Sequence, residues 1–199
     1  LPSLIVDRYA DHLVIQTLSQ GSERLLPVFC DILEETLAPQ GILERNDPRV
    51  RELEGLERCV GVVRGQVPER LEVHQHGIGF EVDPWAGQKT GLFLDQRENH
   101  QAAGHYARGR ALDCFSYTGG FSLAMAIRCD EVMAVDASRP ALETLARQAT
   151  QLGVRVVTNE GNVFDLLRAL ERNGERFDTI VLDPPAFAKN RRALSKAVA

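Results

Sequence analysis

The chain has 199 residues, of which 44% are hydrophobic and 26% charged, with a formal net charge of −5. This suits one medium or two small globular domains with an ordinary core, and the acidic balance argues against a surface that grips nucleic acid over its whole extent. No run of about 18 apolar residues and no signal-peptide pattern is present, so no membrane association is expected and a cytoplasmic location is the default.

The opening LPSLIVDRYADHLVIQTLS alternates apolar and polar residues around Tyr9-Ala10-Asp11-His12 and predicts a β-hairpin. After Ser22, the spacing of Leu25, Phe29, Ile32, Leu33 and Thr36 predicts one amphipathic helix closed by Pro39-Gln40-Gly41. Asn46-Asp47-Pro48 reads as a turn or helix start, and Cys59 to Gln66 as a short strand. LEVHQHGIGFEVDP predicts a second hairpin turning at His76-Gly77, with Leu71, Val73, Phe80 and Val82 pointing inward. His74 and His76, two apart on a strand, would share a face, but no third ligand accompanies them and no metal site is expected. The four cysteines at 30, 59, 114 and 129 lack CxxC spacing and are expected to be free thiols.

The pattern changes near residues 85–95. DQRENHQAAGHYARG reads as a helix, and beyond it short apolar runs alternate with helical ones: strands at 111–115, 131–135, 154–158 and 178–182, helices at 120–128, 138–151 and 162–173. Such alternation predicts βαβ crossovers and a parallel sheet. The expected fold is therefore α/β, a Rossmann-like parallel sheet in residues 91–199 preceded by a small α+β domain in residues 1–90. Thr179-Ile180-Val181-Leu182 is apolar on both faces, as in a sheet interior, and the chain starts at Leu1, so it is expected to be a fragment whose sheet continues. Self-association through this open apolar edge or through the α+β domain is expected, with a homodimer as the assembly. Two cationic clusters, Lys189 to Lys196 and Arg97 to Arg110, suit either a solvated face or a local nucleic-acid contact.

Three loops carry the chemistry. Open α/β sheets bind ligands beyond the carboxyl ends of their strands. DCFSYTGGFS (113–122) lies there: Gly119 and Gly120 permit a tight turn with no Cβ towards a ligand, helix-start amides can donate to a carboxylate, and Asp113 can meet an ammonium. Asp136, at the tip of the next strand, has the position of an acceptor for ribose hydroxyls. A nucleoside joined to an amino acid points to S-adenosyl-L-methionine as cofactor. The turn does not read G-x-G-x-x-G, which disfavours a nicotinamide dinucleotide. Asp183-Pro184-Pro185-Ala186-Phe187 ends the fourth strand with a stiff loop, in which Phe187 either stacks on a flat base or is buried as a strand terminator.

Together, DCFSYTGGFS, AVDAS and DPPAF, with GQKTGLFLDQRENH entering the second domain, resemble class I S-adenosylmethionine-dependent RNA methyltransferases, and most closely the bacterial family that forms 5-methylcytosine in large-subunit ribosomal RNA. The resemblance covers most of the chain and implies a ribosomal RNA substrate. It implies that Asp113, Phe115, Ser116, Tyr117, Thr118 and Gly119 surround the methionine portion, that Asp136 and Ala137 meet the ribose and that Asn162 meets the adenine. Gln88, Lys89, Thr90, Phe93, Asp95 and Arg97 match the junction motif bordering the cofactor, and Asp183, Pro184, Pro185 and Phe187 frame the base. The family's RNA-binding PUA domain has no counterpart in this chain, nor does its cysteine nucleophile, which falls in a later motif; Cys114 reads as a small buried strand residue. Methylation at guanine N7 or adenine N6, which needs no thiol, stays open, as does a non-catalytic nucleotide-binding or RNA-scaffolding module.

Overall fold

The computed structural model describes residues 2–185. Contacts divide the chain into two compact units, one of Leu1–His74 and Gly79–Phe93, the other of Gln75–Ile78 and Leu94–Ala199.

In the first unit, β1 (Leu4–Tyr9) and β2 (His12–Thr17) form the expected hairpin, and the chain returns through α1 (Gln20–Arg24) and α2 (Leu26–Leu37) to β3 (Gly41–Asn46), parallel to β2. After α3 (Val50–Leu53), β4 (Cys59–Gly65) pairs antiparallel with β3, giving the order β1-β2-β3-β4. The sequence reading placed one helix after Ser22; the structure has two, because Ser19 rather than Ser22 is the N-cap of α1 and Pro27 suits only the first turn of a new helix. The buried face of α2 is also different from the one expected. Cys30, with Leu26, Phe29, Leu33 and Leu37, packs on Leu13, Ile15 and Ile42, while Leu25 and Ile32 are exposed.

A polar cluster sits inside this unit. The Arg51 side chain is 2% exposed; its guanidinium donates to Glu23 Oε2 at 2.8 Å, to the Glu57 carbonyl at 2.9 Å and to the Thr17 carbonyl. Thr17 Oγ1 donates to the same Glu23 oxygen, and the Thr17 amide donates to Asn46 Oδ1. This bonding lets the polar β3, absent from the sequence reading, lie in the sheet interior.

β5 (Leu71–Gln75) and β6 (Ile78–Val82) form the second hairpin, with His76 and Gly77 in the left-handed region at φ 51° and 82°. His76 is therefore a turn residue, and it does not share a strand face with His74.

In the second unit, a 3-10 turn (Leu94–Gln96) leads into α4 (Arg97–Tyr106), followed by β7 (Arg110–Cys114), α5 (Gly120–Ala126), β8 (Glu131–Asp136), α6 (Arg139–Leu152), β9 (Val156–Glu160), α7 (Val163–Arg172) and β10 (Thr179–Leu182). All strand pairs are parallel, in the order β10-β7-β8-β9. The sheet is covered on both faces. Ala111, Met125, Ala126 and Val132 pack with Ala103 and Phe121 of α4 and α5, and Leu112, Cys114 and Val135 pack with Val163, Leu166 and Leu170 of α7. This is the Rossmann-like α/β arrangement. The fourth strand, expected inside the sheet, is the outer strand among the described residues; Val181 packs inward, while Ile180 and Leu182 are exposed.

Replacing Arg51 with Ala empties a buried site and strands two carbonyls, so Arg51→Ala is expected to lower the unfolding free energy by about 3 kcal/mol. Urea unfolding measures this, and a parental midpoint would contradict it.

Candidate functional site

The order β10-β7-β8-β9 means that the chain proceeds outward from β7 through β8 and β9, then returns to the other side of β7. The crevice of such a sheet opens at that reversal, beyond the carboxyl ends of β7 and β10. Asp113 pairs in register with Val181 on one side and Ala134 on the other. Asp136 lies two residues beyond Ala134 at the end of β8, and Asp183 two beyond Val181, one residue past the end of β10. Because side chains alternate with period two, the strand pattern gives all three carboxylates to one sheet face.

Asp113 is 1% exposed. Its Oδ2 accepts from Ser122 Oγ at 2.5 Å, while Oδ1 is buried without a hydrogen-bond partner. Burial pushes this carboxyl up to about 7; the Ser122 hydrogen bonds oppose the shift, and the nearby carboxylates of Asp136 and Asp183 add to it. Ser116 Oγ is likewise buried and unpartnered. An orphaned acidic oxygen and an orphaned hydroxyl in one crevice are the complement of a cationic, hydrogen-bonding ligand.

The loop between β7 and α5 has an unusual backbone: Phe115, Tyr117 and Gly119 have φ of 64°, 47° and 91°. Asp136 holds it there. One carboxylate oxygen accepts from the Tyr117 amide and the other from the Ser138 amide, both at 2.8 Å. From α6, Gln148 Nε2 donates to the Thr118 carbonyl at 2.9 Å. A Cβ on Gly119 would lie 2.1 Å from Leu145 Cδ1, and one on Gly120 would lie 2.3 Å from His100 Cε1, so both glycines are required by close packing. His100 stands edge-on to Phe121, and burial pushes its imidazole down to about 4, so it packs as a neutral ring.

The expected site residues fall into three groups. Asp113, Phe115, Ser116, Tyr117, Thr118, Gly119, Asp136, Ala137, Asp183, Pro184 and Pro185 lie at the carboxyl ends of β7, β8 and β10. Phe115 faces away from Asp113, edge-on to Phe164 on the α7 side. Asn162 is at the carboxyl end of β9, where its Oδ1 caps α7 by accepting from the Phe164 and Asp165 amides. The junction motif divides: Gln88, Lys89, Thr90 and Phe93 belong to the first unit, Asp95 and Arg97 to the second. Within the first unit, Thr90 is buried and its hydroxyl bonds with Asp7 and Tyr9, and Lys89 Nζ lies 4.4 Å from the Phe93 ring centroid. Phe187 and the cations at 189–196 lie outside the described residues. Ser122, Gln148, His100 and Gln96 were not among the expected site residues. Ser122 had a signal in its place within DCFSYTGGFS; the others act through space from α4, its preceding turn and α6.

Among the described residues, no group of three or more His, Cys, Asp or Glu side chains is placed to hold a metal, and no helix is long and apolar enough to cross a membrane.

A family model described as S-adenosylmethionine-dependent methyltransferase matches residues 54–198. The chain is 42% identical over 204 residues to the ribosomal RNA large subunit methyltransferase I of Erwinia tasmaniensis, covering 99% of this chain and 51% of that protein. It is 44% identical over 202 residues to the protein of the same name from Aeromonas salmonicida, with coverage of 98% and 50%. The chain thus spans about half the length of the curated relatives it matches. Its fold resembles that of a Streptococcus mutans protein described as a SAM-dependent methyltransferase, with a TM-score of 0.79 at 22% identity, covering 96% of this chain and 52% of that one.

The Asp113 carboxyl has a pH signature. Its folded value of about 7 exceeds the ordinary 3.8, so the native state keeps a proton that the unfolded chain releases. Its contribution to stability is complete below about pH 4 and is lost as pH rises to about 7. Asp113→Asn stays neutral throughout and is expected to lack this loss, ending a few kcal/mol more stable than the parent above neutrality. Denaturant unfolding across this pH range, without ligand, tests it; parallel pH profiles would contradict it.

Proposed function

The chain belongs to the family of S-adenosylmethionine-dependent methyltransferases, and from that premise we propose that the carboxyl ends of β7, β8 and β10 hold the methyl donor and that the protein methylates a base of large-subunit ribosomal RNA. The observation that carries this reading is the buried Asp113 Oδ1, unpartnered beside a glycine turn at the chain reversal. When bound, S-adenosylmethionine supplies an electrophilic methyl group, and its amino-acid tail carries an ammonium and a carboxylate. On this reading Asp113 accepts from the ammonium and Ser116 donates or accepts beside it. Phe115, Tyr117, Thr118 and Gly119 surround the same tail. Asp136 and Ala137 meet the ribose, and Asn162 lies at the adenine. Asp183, with the rigid Pro184 and Pro185, receives the base. The names of the Erwinia and Aeromonas relatives support the choice of ribosomal RNA, and such a substrate suits the cytoplasm.

Carbon 5 of cytosine is the proposed target, on the resemblance of DCFSYTGGFS, AVDAS and DPPAF to the 5-methylcytosine family. That carbon needs a thiolate added at carbon 6 before it becomes nucleophilic enough. Burial pushes the Cys114 thiol up to about 11 and also raises Cys30 and Cys129, so these three are poorly suited to the role. The alternative reading is methylation at guanine N7 or adenine N6, where the base nitrogen attacks without a protein nucleophile.

Calorimetry with S-adenosylhomocysteine, followed by mass spectrometry of ribosomal RNA from cells with and without the gene, tests the proposal. Binding that Asp113→Ala abolishes, and a 5-methylcytosine lost with the gene, are expected; no binding to the folded full-length protein would refute it, and loss of an N-methylated base instead would move the target atom. For this chain, self-association as a homodimer is proposed, through the β10 edge with its exposed Ile180 and Leu182 or through the first unit. Size-exclusion chromatography yielding only monomer would contradict it.

A further inference from the structure

The end of β10 is held by a residue of the junction stretch GQKTGLFLDQRENH that was not among the expected site residues. Gln96 closes the 3-10 turn before α4 and is half-buried, and its Nε2 donates to Asp183 Oδ2 at 3.0 Å. Three residues on, in the first turn of α4, Asn99 Nδ2 donates to Gln96 Oε1 at 2.6 Å. The direction of this chain is fixed by chemistry. With its oxygen held by an amide donor, Gln96 can present only its NH2 to Asp183; turning the amide over would set oxygen against carboxylate oxygen and NH2 against NH2.

A neutral donor has a particular consequence at this position. Asp183 lies near the buried Asp113, on whose carboxyl both it and Asp136 act. Arginine or lysine in place of Gln96 would pair with Asp183 and compete with any substrate donor. An amide NH2 instead occupies one lone pair of Oδ2, fixes the rotation of the carboxylate and leaves its charge and the whole of Oδ1 available. A carboxylate so held accepts and does not donate, so it suits the N–H edge of a base, such as the exocyclic amine of cytosine or adenine, and disfavours a carbonyl edge such as that of uracil.

We infer that Gln96, oriented by Asn99, is a positioning residue that aims the Asp183 carboxylate at an N–H donor on the substrate base. The inference rests on the reading in which Asp183 receives the base, and it deepens that reading by assigning the base a donor edge.

The test uses the full-length protein, with S-adenosylhomocysteine binding as the control for folding and cofactor binding. Gln96→Leu is expected to lower kcat for ribosomal RNA methylation roughly tenfold, the loss of one charge-assisted hydrogen bond in the transition state, with S-adenosylhomocysteine affinity unchanged. Gln96→Glu is expected to fall at least as far at alkaline pH, where two carboxylates face each other, and to recover relative to Gln96→Leu as pH falls and the new carboxyl gains the proton it donates. A residue with a merely structural role would show no such pH-dependent recovery. In an Asp183→Asn background, Gln96→Leu is expected to cost little more. Full turnover by Gln96→Leu beside a slow Asp183→Asn, or losses that multiply in the double variant, would overturn the inference alone. Full turnover by Asp183→Asn with cofactor binding intact would overturn both it and the reading beneath it, whereas lost S-adenosylhomocysteine binding in the parent protein would refute the proposed function by itself.

Discussion

A carboxyl group buried to 1% exposure with one oxygen unpartnered is an expensive feature, and the second unit is arranged around it. An unmet buried acceptor costs on the order of 1 to 3 kcal/mol, and an unpaired buried charge costs more, so Asp113 answers by holding a proton near neutrality. Such a debt is worth keeping only where something arrives to settle it. On the proposed reading the ammonium of the methyl donor does so, since it brings both the charge and the hydrogen bonds that Oδ1 lacks. Ser122 on α5 takes the other oxygen and fixes the direction in which the first one points.

The neighbouring loop follows the same logic through backbone strain. Non-glycine residues at positive φ, such as Phe115 and Tyr117, each cost of the order of 1 kcal/mol, and they persist only where surrounding bonds over-determine them. Asp136 and Gln148 provide those bonds through the Tyr117 amide and the Thr118 carbonyl. Asp136 therefore has a structural task as well as its proposed one at the ribose. A carboxylate has lone pairs enough for both, so binding and loop geometry are linked through one side chain. On the other side of the crevice, α4 places His100 against Gly120 while the turn before it places Gln96 at Asp183. The glycine turn and the proposed base loop are thus braced by one stretch of chain.

Much of this was legible in the sequence. The strands and helices of the second unit are short apolar runs and amphipathic stretches with clear punctuation, and the predicted spans agree with the structure to within two or three residues. The positions of Asp113, Asp136 and Asp183 at one end of a parallel sheet follow from that alternation alone. What escaped depends on partners distant in sequence. Gly41–Asn46 carries Glu, Arg and Asn, and reads as a buried strand only once Thr17, Glu23 and Arg51 are seen to satisfy the cluster. The break at Pro27 was missed because Ser22 is itself part of the Ser19 capping box and looks like a cap. Thr90 and Asn162 also have tasks that motif reading did not show: their side chains serve Asp7, Tyr9 and the start of α7.

The central claim is that Asp113 carries a proton until a cationic ligand displaces it. Carbon-13 NMR titration of its carboxyl group, in the free protein and with S-adenosylhomocysteine bound, measures this directly. The account predicts a midpoint near 7 in the free protein that falls well below the physiological range in the complex. An ordinary carboxylate midpoint in the free protein, or one that the ligand leaves in place, would contradict it.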